Sequence, residues 1–340
     1  DPTEHRTSRG DSAPLRKPLL VTLKGVEKLN GEDWFASRAA ATALGVLRDP
    51  DAVGDLCNEL LNDDPAIGDA AAAALGQIGD DQAVQPLVRA LGEHKESAVR
   101  QSAAVALGRL VSDRALQPLR NAFEKRDEDR EVHVAAIRAI AQLDNLAALQ
   151  HVIDALEGNR QYTRQTAAVA LGKLGNAIAV EPLVKVLQDS HPAVTHAAIL
   201  SLGQLGDPSV VDKIIACLEN SSDISVLEAA VRALGELGEH SAVEAIVTQL
   251  MHSKTASIRE AAATSLGQLG NPRAVKPLTE AMKDPESSVV RAAVIALGEL
   301  DDDQAVKPLL AAWEQDTQQE AIREAAGVAI GKLDPSLALA

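Results

Sequence analysis

One recurring phrase constrains what this chain can fold into. Ala-Leu-Gly-x-Leu returns with small changes from end to end. Its glycine falls at Gly45, Gly76, Gly108, Gly172, Gly203, Gly235, Gly267, Gly298 and Gly331, with Ala141 in the slot between Gly108 and Gly172. Successive slots are 31 to 33 residues apart. A unit of that size cannot bury a core alone, so ten of them must stack on their neighbours into a continuous one. Composition says how closely they stack. The chain has 60 alanines and five aromatic residues among 340, so its core rests on small aliphatic side chains rather than large rings.

One unit, from Asp81 to Gly108, shows the internal plan. Asp81-Gln-Ala-Val-Gln-Pro86-Leu-Val-Arg-Ala-Leu91 predicts a first helix with proline in its opening turn, where a missing N–H is harmless. The same slot holds Pro118, Pro182, Pro277 and Pro308. A polar link, 92–96, leads to a second helix whose small or apolar positions are Val99, Ala103, Ala104, Leu107 and Leu110, a helical spacing. Glycine inside a helix costs roughly 1 kcal/mol relative to alanine, so its regular return predicts close approach between neighbouring helices. Leu-Gly-Asp or Leu-Gly-Asn then closes the unit, as at Gly206-Asp207, Gly175-Asn176 and Gly270-Asn271, with glycine ending one helix and Asp or Asn capping the next.

The pattern Ala-Val-x-Pro-Leu…Val-Arg-x-x-Ala-Ala-x-Ala-Leu-Gly-x-Leu-Gly-Asp resembles the short HEAT repeat named after phycobilisome lyases, over residues 14 to 334. The resemblance implies an all-α fold, a right-handed α-solenoid of about ten HEAT-like helix pairs. First helices would lie on the convex side and second helices on the concave side. This repeat serves many unrelated scaffolds, so it says much about architecture and little about function.

We read 14–340 as a single solenoid and 1–13 as a disordered polar tail. The tail contains Arg9-Gly10-Asp11, which is similar to an integrin-recognition tripeptide and has nothing else extracellular beside it. End units have one open flank, and Trp34 and Trp313 are read as rings covering those flanks. The plan breaks near 124–131, Glu-Lys-Arg-Asp-Glu-Asp-Arg-Glu, and again over 144–151, where Leu143-Asp144-Asn145 lacks the Gly-Asp pair and His151 takes the proline slot. A solvated loop and a hinge are the two readings of that break.

Composition and motifs exclude several functions. A net charge of −16 argues against a general nucleic-acid binder or an anionic membrane surface. Two cysteines, Cys57 and Cys217, make no disulfide framework and suggest a reducing, cytoplasmic setting, with both thiols buried and inert. His-Glu dipeptides, Cys-x-x-Cys, His-Glu-x-x-His, phosphate loops and nucleophile elbows do not occur. No metal, cofactor or catalytic residue is therefore expected. The reading is a non-enzymatic scaffold or adaptor that binds another protein through its concave groove, alone or as a subunit of a larger complex. The alternative, implied by the resemblance, is a phycobilin lyase-like protein handling a bilin and its acceptor.

Counting from the glycine slot, positions −7, −3 and +1 share one face of the second helix. In the first five units this stripe carries Arg38, Arg109, Arg138 and Lys173 against Asp69. In the last five it carries Arg232, Arg291 and Lys332 against Glu228, Glu236, Glu260, Glu299 and Glu324. The candidate partner-binding residues are Val105, Arg109, Arg138, Val169, Lys173, His196 and Leu200, apolar spots among cations. The expected partner is a protein with an acidic segment flanked by apolar side chains.

Overall fold

The computed structural model describes residues 13–24, 34–143, 145–314 and 320–333. Their contacts group into two units, 1–170 and 171–340. The first contains α1 (Ala13–Lys24), α2 (Trp34–Leu47), α3 (Val53–Glu59), α4 (Pro65–Ile78), α5 (Val84–Glu93), α6 (Ser97–Leu110), α7 (Leu116–Glu124), α8 (Arg130–Gln142), α9 (Leu146–Asp154) and most of α10 (Gln161–Leu174). The second contains α11 (Val180–Lys185), α12 (Pro192–Leu205), α13 (Val211–Asn220), α14 (Ile224–Leu237), α15 (Val243–His252), α16 (Ala256–Leu269), α17 (Val275–Ala281), α18 (Ser287–Glu299), α19 (Val306–Glu314) and α20 (Glu320–Leu333). No strand occurs among the described residues. The fold is an all-α solenoid of helix pairs, odd helices first and even helices second. Odd helices pack on the even helix after them, as α5 on α6 or α13 on α14, and even helices pack on even helices, as α6 on α8 or α16 on α18.

The slot glycines explain that second contact. A Cβ placed on Gly108 would lie 2.8 Å from the Cα of Ala139, and one on Gly267 2.8 Å from the Cα of Ala296. The same pairing joins Gly45 to Ala74, Gly76 to Ala106, Gly172 to Ser201, Gly203 to Ala233, Gly235 to Ser265 and Gly298 to Ala329. In every case the neighbour is the small residue two positions before the next slot. Backbone therefore meets backbone across the even layer, and no side chain fits between. The leucines of the same triplets, Leu75, Leu107, Leu202, Leu234, Leu266 and Leu297, are fully buried beneath these crossings.

The turns differ from expectation in one respect. Asp80, Asn176, Asp207, Asn271 and Asp302 do cap, but each caps a three-residue 3-10 turn that precedes the odd helix. The proline slot is accordingly the third residue of the α-helix, as Pro86 is in α5 and Pro277 in α17. Gly206 ends α12 with φ 70°, a left-handed conformation that suits glycine. The equivalent place after α6 is Val111 at φ 49°, a β-branched residue where one is strained.

Two arginines fasten successive repeats. Arg100, eight residues before the Gly108 slot, donates to Glu128 (3.0 Å from Nε) and to the carbonyls of His94 (2.7 Å) and Lys95 (2.8 Å). Arg259, eight before Gly267, donates to both oxygens of Asp284 (2.6 and 2.9 Å) and to the Ser253 carbonyl (3.0 Å). Burial alone would push Glu128 upward, but hydrogen bonds from Arg100, Lys125 and the Asp129 N–H outweigh it and hold the carboxyl below the usual range. The Arg259 hydrogen bond does the same for Asp284. The charged run 124–131 is thus not simply solvated. Glu128 is buried within it, and the fully buried ring of His133 sits 2.9 Å from the Asp129 carbonyl and 2.8 Å from that of Lys125.

The tail 1–12, with its Arg-Gly-Asp, and the Trp34 side chain lie outside the described residues. Trp313 is 47% exposed and its ring lies over Gly327 of α20.

Candidate functional site

The stripe on the even helices is accessible throughout. Every position −7, −3 and +1 is exposed or half-buried, and none is buried. Helical geometry produces this, because the positions between them carry the glycine crossings and the core leucines.

In the first unit, Val105 of α6 is 38% exposed and shares a depression of 530 Å³ with Gln101, Arg130, Glu131, Val134 and Arg138. Val105 and Arg138, chosen from the sequence, are therefore brought together across the α6–α8 junction. Arg109 does not line this depression. It sits at the end of α6 and lays its Cδ 3.5 Å from where a Gly76 Cβ would be, over the preceding repeat. Neither Arg109 nor Arg138 has an ion pair among the described residues. Val169, on α10, is half-buried.

The remaining candidates belong to the second unit. Lys173 is exposed, and Leu200 and His196 are half-buried. The His196 Nδ1 lies 2.9 Å from the Ser225 carbonyl, so the ring is partly committed to the first turn of α14. Further along, Arg232 is closed on Glu228 at 2.8 Å. Glu236 and Glu299 lie over Gly203 and Gly267, as Arg109 does over Gly76.

Arg130 and Glu131 escaped the sequence reading because they fell in the run taken as a loop. They occupy the first turn of α8, and carrying the stripe one turn beyond position −7 would have reached them. Arg130 stacks over the Tyr162 ring with its guanidinium carbon 5.4 Å from the centroid. No group of three His, Cys, Asp or Glu side chains among the described residues is placed to hold a metal ion. Burial pushes the thiol of Cys57 up to about 11, and Asp80 adds to it; burial also pushes up Cys217. No described helix is long and apolar enough to cross a membrane.

The family described as HEAT repeats matches residues 24–108, 90–170, 149–223 and 211–296. The chain is a HEAT-repeat protein. A PBS lyase HEAT-like repeat matches residues 289–312. No curated protein matches by sequence. Kap95p, solved with RanGDP, is similar at a TM-score of 0.71 and 14% identity, over 97% of this chain and 52% of that one. Importin beta is similar at 0.67 and 15%, over 94% and 52%. Kap121p bound to Nup53p is similar at 0.64 and 12%, over 96% and 42%. At these identities the likeness is one of fold, and the HEAT-repeat chain spans about half the length of the karyopherins it matches.

Proposed function

We propose that this HEAT-repeat protein is a non-enzymatic scaffold that binds another protein along the exposed face of its even helices. The partner offers an acidic segment with apolar side chains on either side. One observation carries the reading: Arg138 stands unpaired beside exposed Val105, with unpaired Arg109 at the end of α6, in a chain of net charge −16. Carboxylates neutralise some surface cations, as at Arg89–Glu93 and Arg120–Glu124, but not these two. Cations left free next to apolar surface suit a complementary partner, which would gain both charge steering and buried area. The solved relatives add a general precedent, since Kap121p was solved bound to Nup53p.

The test uses a fluorescent peptide alternating Glu or Asp with Leu or Val, followed by anisotropy. Binding should weaken steeply with salt, because association is electrostatically steered. Arg138→Glu should weaken it about tenfold at low salt. Salt-independent binding, or none, would remove this reading.

A further inference from the structure

A second concavity lies away from the stripe. In the second unit a crevice of 790 Å³ opens between α11 and α13, at the end where the odd helices turn into even ones. Its volume falls within the range of small-molecule sites, about 300–1,000 Å³. One wall is the 3-10 turn Val186–Gln188 that continues α11, and the Cys217 Sγ lies 4.0 Å from the Leu187 carbonyl of that turn.

The lining has two characters. Leu187 and Val226 are buried apolar groups, and half-buried Cys217 stands with them as a neutral, weakly polar wall. Lys185 and Lys213 are exposed and have no ion pair among the described residues. Asp189 also lines the crevice, but its carboxylate is 8% exposed and already accepts the His191 N–H at 2.9 Å. Thr195 supplies an independent sign of a ligand. It is 94% buried by its 6% exposure, it lines the crevice, and its hydroxyl makes no hydrogen bond among the described residues. Several helical threonines return theirs to the carbonyl four residues back, as Thr42, Thr264 and Thr279 do, and Thr195 does not. The Thr195 hydroxyl is thus free to donate to a group lying in the crevice.

We propose that this crevice binds a small amphipathic carboxylate, its hydrocarbon body against Leu187, Cys217 and Val226 and its anionic head on Lys185, Lys213 and the Thr195 hydroxyl. An alcohol of equal chain length offers the same apolar body without the charge, and a cation meets the wrong sign. The inference stands apart from the protein-binding reading and uses none of its residues.

Cys217 provides the readout. In the full chain carrying Cys57→Ala, it is the one thiol left, and its alkylation by iodoacetamide is followed with octanoate or octanol added. Octanoate should slow alkylation about tenfold at saturation, and octanol should need about tenfold more to match it. Lys185→Glu with Lys213→Glu should raise the half-protecting octanoate concentration about tenfold. Thr195→Val should raise it about threefold. Ala216→Trp, at an exposed position of α13 lining the crevice, should abolish protection. Should that variant lose helicity, the lysine pair decides. Equal protection by octanoate and octanol, protection unchanged in the lysine pair, or no protection at all would each overturn the proposal.

Discussion

The two units use one repeat and differ in what they leave exposed. Gly108 against Ala139 in the first and Gly267 against Ala296 in the second make the same crossing at the same distance. Arg100–Glu128 and Arg259–Asp284 make the same fastening from the same register. The stripe does not follow this sameness. In the first unit Arg109 and Arg138 have no ion pair; in the second Lys173 and Arg291 have none either, but Arg232 is neutralised by Glu228 and the face carries Glu236, Glu260 and Glu299 as well. Features common to both units serve stacking. A feature that differs, on a face where stacking makes no demand, is where a binding role can reside.

The largest effects should come from breaking what the units share. Arg259→Met leaves Asp284 without its guanidinium and should cost about 3 kcal/mol in chemical denaturation, with Arg100→Met costing somewhat less because Lys125 still reaches Glu128 at 3.1 Å. The fastening is also pH-dependent. Both carboxyls are held below their unfolded values, so their contribution is present at neutral pH and lost as pH falls through the folded pKa. The parent should lose more stability between pH 7 and about pH 3 than Arg259→Met does. A parallel loss in the two would mean that the pair carries no acid sensitivity.

Next come the crossings. Gly108→Leu and Gly267→Leu should each cost about 1–3 kcal/mol, since the new side chain meets backbone that cannot swing aside. Gly92, in α5, has nothing within 4 Å of its missing Cβ, so Gly92→Ala should instead stabilise by about 0.5–1 kcal/mol. The two signs separate a glycine needed for contact from one merely tolerated. The smallest effect belongs to a difference between units. Val111→Gly relieves the left-handed turn after α6 and should raise stability by about 0.5–1 kcal/mol, while Gly206→Val after α12 should lower it by a similar amount. Melting curves read all five glycine-related changes.

Much of this was legible in the residues, and for physical reasons. A slot that returns every 31 to 33 residues leaves few options for the fold, and glycine in mid-helix announces a close neighbour. The accessible stripe followed because helix period converts register directly into direction. What stayed hidden was set by contacts between distant residues. Glu128 reads as one charge among eight, and only the approach of Arg100 from the preceding repeat makes it a buried anion. The 3-10 turns were missed because Asp-x-Ala after glycine offers the same cap to either kind of helix. The depression around Val105 was half seen, because a run of charges disguised the first turn of α8. The crevice at Cys217 was not visible at all, since it depends on where α11 tightens.

The binding role is tested most directly by reversing equal charge on the two units. Arg109→Glu with Arg138→Glu changes the first, and Arg232→Glu with Arg291→Glu changes the second by the same amount, all four at exposed positions. Helicity and melting temperature should barely move in either, since exposed changes stay within about ±0.5 kcal/mol each. Anisotropy with the acidic, apolar peptide at low salt should then part them. The first pair should raise Kd about tenfold or more and flatten its salt dependence, and the second should change it less than about twofold. Equal weakening by both pairs would mean that the peptide senses overall charge alone, and the free cations of the first unit would then be ordinary solvated surface.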